Sequence, residues 1–186
     1  MSKRSNETIT LGSGKLYCME FPTSGVMPSD TDIEKEENRL GWIKGGASLE
    51  YTGEYYTAKD DLGMVSKQKI NAEEAKLISG IMTWNGQVLK KLCSTARVTE
   101  SNGVRTVKIG GTNNDDGKSY IFHFLHEDKA DGNVRVQVVG KNTAGFTLAF
   151  AADAETVVDA EITADSGKLD NEGTLVIIKE DIDATA

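Results

Sequence analysis

Residues 45–70 read GGASLEYTGEYYTAKDDLGMVSKQKI, and this stretch decides the fold class. Two extended runs flank a polar tip, Lys59-Asp60-Asp61-Leu62-Gly63, which is the pattern of a long β-hairpin. The first run carries Tyr51, Tyr55 and Tyr56, which are three of the five tyrosines in the chain. Because a long, tyrosine-rich arm cannot bury both of its faces in its own domain, we expect it to contact another subunit.

Side chains alternate in character along the first run of this hairpin. Successive residues of a strand point to opposite faces, so Leu49 and Tyr51 share one face and the intervening polar residues share the other. The polar face comprises Ser48, Glu50, Thr52 and Glu54. Such a face is typical of a sheet surface that lies against water.

The rest of the chain predicts short strands and one helix. The pairs Asn102-Gly103 and Asp131-Gly132 favour tight hairpin turns. Strand patterns occupy residues 9–21, 77–84, 105–109, 120–125, 134–138, 146–150, 157–162 and 175–178, and one more begins at Val98. A helix after Asn85 has an apolar face of Val88, Leu89, Leu92 and Cys93. We therefore predict a mainly β fold, a β-sandwich or barrel with one flanking α-helix and a long β-hairpin arm at about 45–70.

Two segments have less regular patterns. Asn71-Ala72-Glu73-Glu74 has the spacing of a helical capping box, and we predict a short turn there before a strand that ends near Trp84. The acidic run at 29–38 is compatible with a helical turn capped by Ser29 or Asp30, and equally with a mobile loop.

Length and charge limit the possible functions. A chain of 186 residues is long enough for a single domain with one core, and we expect flexible ends at about 1–7 and 181–186. Its net charge is −8, which makes it a poor candidate for a protein that binds nucleic acid tightly. The N-terminus has no apolar segment of a signal peptide, and no run is long enough to span a bilayer. We expect the protein to be made in a cytoplasm.

Candidate chemical sites are weak throughout the sequence. His123 and His126 fall on opposite faces of a predicted strand, and Cys18 and Cys93 lie far apart, so we expect two reduced thiols. The loop at 110–119 lacks the glycine spacing of a phosphate-binding loop, and the acidic loops at 115–117 and 128–133 lack the alternating ligands of a calcium loop. We therefore expect no enzyme, no cofactor and no metal site.

Four segments carry a resemblance to a known family. Residues 40–51, LGWIKGGASLEY, resemble the segment that enters the long hairpin of major tail tube proteins from long-tailed bacteriophages. The likeness continues in IMTWN at 81–85, KIGG at 108–111 and GFTLAF at 145–150, and it covers residues 9–180. Tube proteins of phages with Gram-positive hosts are the most similar in pattern.

The resemblance implies a structural virion protein. Such subunits form hexameric rings with a β-sandwich or barrel fold, and the rings stack into a hollow tail tube through which genomic DNA is ejected without specific binding. The family implies a tape measure protein, a tail terminator and baseplate proteins as partners, with the virion tail as the location after assembly in the host cytoplasm. No membrane and no chemical reaction are involved.

The arm and the acidic charge acquire roles under this interpretation. Six copies of a chain with net charge −8 carry −48, and a lumen of that sign repels phosphate and lets DNA slide. We expect the polar set Ser48, Glu50, Thr52 and Glu54 to face the lumen, although an ordinary solvent-facing sheet would look the same. The predicted contact to a neighbouring subunit comprises Tyr55, Tyr56, Thr57, Lys59, Asp60, Asp61 and Leu62.

Two alternatives remain open on the sequence alone. The inner tube of a contractile tail or of a bacteriocin-like injection particle shares the fold, and it is distinguished by a sheath partner. A carbohydrate-binding or adhesion β-sandwich module belongs to another class, and it would expose an aromatic platform on a monomer. Trp42, Trp84 and the tyrosines could supply such a platform.

Overall fold

A computed structural model describes residues 12–129 and 131–182. The strands of these residues, numbered along the chain, are β1 (Lys15–Glu20), β2 (Arg39–Gly41), β3 (Ile43–Lys59), β4 (Ser66–Ile81), β5 (Arg97–Ser101), β6 (Val104–Lys108), β7 (Tyr120–His126), β8 (Val134–Asn142), β9 (Val158–Ala164) and β10 (Ile177–Glu180). The helices are α1 (Asp30–Ile33), between β1 and β2, and α2 (Gly86–Leu92), between β4 and β5. The prediction of a mainly β fold is confirmed.

One large antiparallel sheet has the strand order β2-β1-β7-β8-β9-β4-β3, and β10 pairs with the first half of β8. Its first and last strands, β2 and β3, are consecutive in the chain and are separated by Trp42 alone. Gly41 is required at this crossing because a Cβ there would lie 2.5 Å from the Thr83 carbonyl oxygen. The chain therefore links the two edges of the sheet and closes it in the manner of a barrel.

The main core lies on one face of this sheet. It combines inward-facing residues of most strands with the apolar face of α2, where Val88, Leu89 and Leu92 are buried as predicted. Asn85 caps α2 by accepting hydrogen bonds from the Gln87 and Val88 amides. The strand members of the core are Leu16, Cys18, Leu40, Leu77, Ile81, Tyr120, Phe122, Val138, Val158, Ala160 and Ile162.

A smaller core covers the opposite face of β1, β7 and β8. Tyr17, Ile121, Leu125 and Val139 pack there against Ile33, the last residue of the short helix α1. The Ser29 side chain caps α1 by accepting a hydrogen bond from the Asp32 amide. The helical alternative for the acidic run is thus the one observed, and the fold has a second helix beyond the one predicted.

Strand β4 corrects the prediction of a turn at 71–74. The strand runs unbroken from Ser66 to Ile81, not to Trp84, and pairs with β3 along its length. Cross-strand hydrogen bonds to β3 outweigh the local capping-box pattern. Asn71 is accommodated as a bulge, because Glu54 pairs with Ala72 while Tyr55 pairs with Ile70.

Residues 146–150 correct a second prediction, since they form no strand. Both edges of β8 are already occupied, by β7 on one side and by β10 and β9 on the other. The alternation in this segment arises because Phe146 and Leu148 pack on the core while Phe150 is exposed.

Strand and terminal boundaries also differ from the predictions. β1 starts at Lys15 and β10 covers Ile177–Glu180, later than the patterns at 9 and 175 suggest. Residues 9–11, and the predicted flexible ends at 1–7 and 183–186, lie outside the described residues. Asp181, placed in the flexible end, instead bonds through its amide to Asn133 and through its carboxylate to Arg135.

Candidate functional site

The β3–β4 hairpin extends far beyond the rest of the sheet. Strand β9 pairs with β4 between Lys76 and Ile81, opposite the first residues of β3. Beyond Glu50 and Lys76 the hairpin has no third strand among the described residues, and we call this part, residues 51–75, the ribbon. Residues 51–59 extend about 30 Å at a rise of about 3.3 Å per residue.

The ribbon has two chemically different faces. The core-side face continues outward from Leu49 and Leu77 as Tyr51, Tyr55 and Ile70. A Cβ placed on Gly53 would lie 3.2 to 3.5 Å from atoms of the last three side chains, so they converge above this glycine. Tyr51 and Tyr55 are 57% and 61% exposed, which leaves an aromatic strip facing solvent. The hydroxyl of Tyr51 donates a hydrogen bond to Glu73 that raises the pKa of Tyr51.

The predicted polar set occupies the opposite face of the hairpin. Ser48, Glu50, Thr52 and Glu54 are all exposed, and they pair in register with Ile78, Lys76, Glu74 and Ala72. Lys76 forms ion pairs of 2.8 Å with Glu161 of β9 and 3.0 Å with Glu74, and these carboxylates raise its pKa. This region of the face is acidic overall, because its carboxylates outnumber Lys76.

The outer half of the ribbon reverses that charge. Tyr56 lies opposite Lys69 and Ala58 lies opposite Lys67 on the same face as the polar set, while Lys59 follows on the other face. The Asn71 bulge separates the acidic half from the basic half. Because bulges bend a strand and increase its twist, the two halves are not coplanar.

The tip of the hairpin, residues 60–65, is an ordered turn. The Asp60 amide donates to the Val65 carbonyl at 3.1 Å, and the Asp60 carboxylate accepts from the Val65 amide at 2.8 Å. This turn presents Leu62, Met64 and Val65, which are 82%, 82% and 70% exposed. The sequence pattern indicated Leu62 but not Met64 and Val65, although their position directly after Gly63 of the turn was a usable signal.

The predicted contact residues all lie on the outer ribbon and tip. They are exposed throughout: Tyr55, Tyr56, Thr57, Lys59, Asp60, Asp61 and Leu62. The hairpin brings them close together, but they do not form a single surface. They are distributed over the two faces of the ribbon and the turn at its tip.

A second exposed apolar feature lies where β2 passes into β3, and we call its two apolar residues, Trp42 and Met82, the Trp42 patch. Trp42 is 60% exposed and its carbonyl accepts a hydrogen bond of 2.7 Å from the Met82 amide, so the two are neighbours. The guanidinium of Arg39 lies 3.8 Å from the centre of the Trp42 ring and forms an ion pair of 3.2 Å with Glu36. The sequence indicated Trp42 as part of a possible aromatic platform, but not its pairing with Met82 or its contact with Arg39. The pairing depends on the register of β3 with β4, and Arg39 follows a 3-10 turn at Glu36–Asn38.

Buried polar residues cluster on the smaller core. His123 is fully buried, and its Nδ1 accepts a hydrogen bond of 3.0 Å from the Gln137 amide, which also donates to Asp30 at 2.6 Å. His123 Nε2 lies 3.1 Å from Glu34, whose carboxylate also accepts from Arg135 at 2.7 Å. Burial lowers the pKa of His123, against the effect of Glu34, so the ring is neutral with its proton on Nε2.

This cluster binds the acidic run to the sheet. Lys179 of β10 bonds to Asp30, and although burial alone would raise the pKa of Asp30, Lys179 lowers it. His126 lies on the other face of β7, and its Nδ1 bonds to the Ser13 carbonyl. Burial raises the pKa of Cys18 to about 12, which makes its thiol unreactive. Within 12–129 and 131–182, no group of three metal-ligating residues is present.

A shallow depression of about 570 Å³ lies between loops 20–25, 117–119 and 167–171. Lys118 lines it, but its ammonium group is paired with Glu20 at 2.7 Å. The depression therefore gains no free charge for a ligand from Lys118.

Two comparisons with known proteins gave no match. No protein-family model matches the sequence, and no curated protein matches it at a significant level. Among the described residues, no helix is long and apolar enough to cross a membrane. The features that bear on function are therefore the ribbon, its tip and the Trp42 patch.

Proposed function

We propose that this chain is a self-assembling structural subunit, a tail tube protein that forms hexameric rings stacked into a hollow tube for phage DNA. The observation that carries the proposal is the ribbon, which extends about 30 Å without a third strand and exposes aromatic side chains on one face. A two-stranded ribbon of this kind is at best marginally stable by itself in water, so a partner for its strand edges and its aromatic face is expected.

The distribution of charge supports the role in a tube. The inner half of the polar face carries Glu50, Glu54 and Glu74 on a chain with net charge −8. In the proposed tube this half lines the lumen, where like charge keeps DNA phosphates from adhering. The basic outer half is unsuited to that position, and we assign it to the contact with a neighbouring subunit.

Inner tubes of contractile tails and bacteriocin-like particles remain within this proposal, because the same ribbon would serve both. The carbohydrate-binding module has weaker support. A sugar-binding platform needs an open aromatic face, and the Arg39 guanidinium already stacks on the Trp42 ring at 3.8 Å. Trp84 is partly buried against the core, and its ring meets that of Phe150 edge-on.

Electron microscopy of the concentrated, purified wild-type chain tests the proposal. We expect six-fold rings or hollow tubes, accompanied by large species in sedimentation velocity. A chain that stays monomeric at millimolar concentration would contradict it.

A further inference from the structure

The tip of the ribbon combines exposed apolar groups with a rigid support. Leu62, Met64 and Val65 are each at least 70% exposed, while hydrogen bonds of Asp60 to Val65 and Gly63 close the turn beneath them. Because the turn is already closed by hydrogen bonds, its backbone loses little conformational freedom on docking. The tip therefore has the properties of an anchor for a complementary surface.

Unpaired basic residues surround this anchor. Lys59, Lys67 and Lys69 are exposed, and none forms an ion pair with a residue in the described part of the chain. These three lysines outnumber Asp60 and Asp61 of the tip, so the end of the ribbon is weakly basic, whereas the chain as a whole has a net charge of −8. A partner for the tip should carry acidic groups beside an apolar centre.

The part of the same chain outside the ribbon, which we call the body, carries such a surface around the Trp42 patch. Trp42 and Met82 are 60% and 40% exposed and form its apolar centre. The patch is linked through Arg39 to Glu36, which is 78% exposed, and Glu37 is the next residue. Glu37 is exposed and forms no ion pair with any residue that the structure describes.

We infer that the tip of one copy docks on the Trp42 patch of a second copy, with Lys67 and Lys69 facing Glu36 and Glu37. Both surfaces are present on every copy and differ from each other, so the contact is head-to-tail and repeats from subunit to subunit. Trp and Arg at the centre of an apolar contact, with charged residues at its rim, is the usual arrangement of an interaction hot spot. The inference rests on the proposed self-assembly and names the two surfaces that meet.

Charge reversal with mixing tests the pairing. One variant carries Lys67→Glu and Lys69→Glu, and the other carries Glu36→Lys and Glu37→Lys. Because like charges then face each other, we expect each variant alone to need about tenfold more protein to assemble than wild type. An equimolar mixture restores assembly, because the acidic ribbon of one variant matches the basic patch of the other and every contact in an alternating assembly is complementary.

Each result of this experiment has a defined meaning. If wild type assembles and either variant alone assembles equally well, or if the mixture fails, the pairing is wrong while the proposed function stands. Thermal melts establish that each variant is folded. If loss of the Glu36–Arg39 ion pair unfolds the second variant, Glu37→Lys alone keeps that ion pair and replaces it in the mixture.

Disulfide trapping detects the contact even if wild type forms no tubes, the outcome that would overturn the proposed function. A chain with Met64→Cys is mixed with a chain with Met82→Cys, both with Cys93→Ser, because Cys18 is fully buried and Cys93 is partly exposed. We expect a disulfide-linked heterodimer under non-reducing conditions. Equal yields from a control pair with Val104→Cys in place of Met64→Cys would refute the inferred contact, because Val104 is exposed at a different hairpin.

Discussion

Two hairpins of the described residues extend outside the main sheet: β5–β6, which forms a separate two-stranded sheet, and the outer part of β3–β4. They differ in how many of their groups have partners. The short hairpin β5–β6 has five residues in each strand and packs on α2, where Val107 lies close to Gly86. The long hairpin β3–β4 packs on the core at its base and then continues as the ribbon without a neighbouring strand among the described residues. The two hairpins differ in length, and they also differ in how their charged and apolar side chains are paired.

The short hairpin pairs its one carboxylate, Glu100, within the fold. Arg105 donates to Glu100 across the strands at 2.7 Å, and Gln87 of α2 approaches the same carboxylate at 3.5 Å. On the ribbon, the basic residues beyond the bulge have no such partners in the described part of the chain, and the tip exposes apolar side chains. The ribbon therefore leaves more of its charged and apolar groups without partners in the described part of the chain than the short hairpin does.

Removal of the outer ribbon should have the largest effect: it should abolish assembly while the chain still folds. In the variant, Asn-Gly replaces residues 57–68, so that a tight turn joins Tyr56 to Lys69. We expect no rings or tubes in electron micrographs. The melting temperature should stay within about 2 °C of wild type, because the removed residues bury almost nothing in their own subunit.

The matched control for this truncation lies on the short hairpin. Val104→Ser changes an apolar residue that is 62% exposed at its turn, and we expect normal assembly. If the truncated chain forms tubes of wild-type length, the outer ribbon is not part of the assembly contact. Loss of assembly in the Val104 variant would show that the short hairpin takes part as well.

Alanine substitution of one glycine beside each hairpin should show a smaller difference between the two hairpins, in this case in folding stability. In Gly86→Ala the new Cβ would lie 2.7 Å from Val107 Cγ2 and 2.8 Å from Arg105 Cδ, so α2 and β6 must separate. We expect the free energy of unfolding in urea to fall by about 1–2 kcal/mol, after allowing for the helix propensity of Ala.

Gly53→Ala is the counterpart on the ribbon. Its Cβ would lie 3.2 Å from Ile70 Cδ1, which is the flexible end of a side chain and can move by a few tenths of an ångström. We expect a change below about 0.5 kcal/mol in the same urea titration. Equal losses for the two variants would mean that the ribbon is as tightly packed as the short hairpin.

The difference between the hairpins also explains what sequence alone could predict. The short hairpin was predictable because Asn102-Gly103 favours φ above zero at both turn positions, and the structure has 51° and 76° there. The prediction for the second strand of the long hairpin was wrong at 71–74, because its conformation is decided by partners in β3 that lie distant in sequence. Local turn chemistry is visible in a sequence, whereas non-local strand pairing is not.

The same limit applies to the candidate site. The exposed polar face of Ser48, Glu50, Thr52 and Glu54 followed from a period of two along one strand. The Trp42 patch did not, because Trp42 and Met82 become neighbours only through strand closure, and Glu36 reaches them through Arg39. The buried His123 cluster was equally hidden, since its members come from α1, β7, β8 and β10.

Acidification should have the smallest effect, a loss of folding stability that arises in the body and not in the ribbon. The pKa of His123 is below its ordinary value of 6.5 in the folded chain, so the unfolded chain takes up this proton first as pH falls. The contribution of this group to stability is therefore complete above about pH 6.5 and declines as pH falls from there towards the folded pKa. A protonated Nδ1 would also have to displace the Gln137 amide from its position between His123 and Asp30.

Two measurements check this prediction and return to the contrast between body and ribbon. The ring protons of His123 should titrate by NMR with a midpoint below 6.5, and His123→Gln should flatten the fall in melting temperature between about pH 6.5 and 5. The truncated chain lacking 57–68 should show the same fall as the full chain, because the described groups that face His123 all lie outside the removed residues: Tyr17, Asp30, Glu34, Arg135 and Gln137. A midpoint at or above 6.5 would mean that Glu34 dominates over burial.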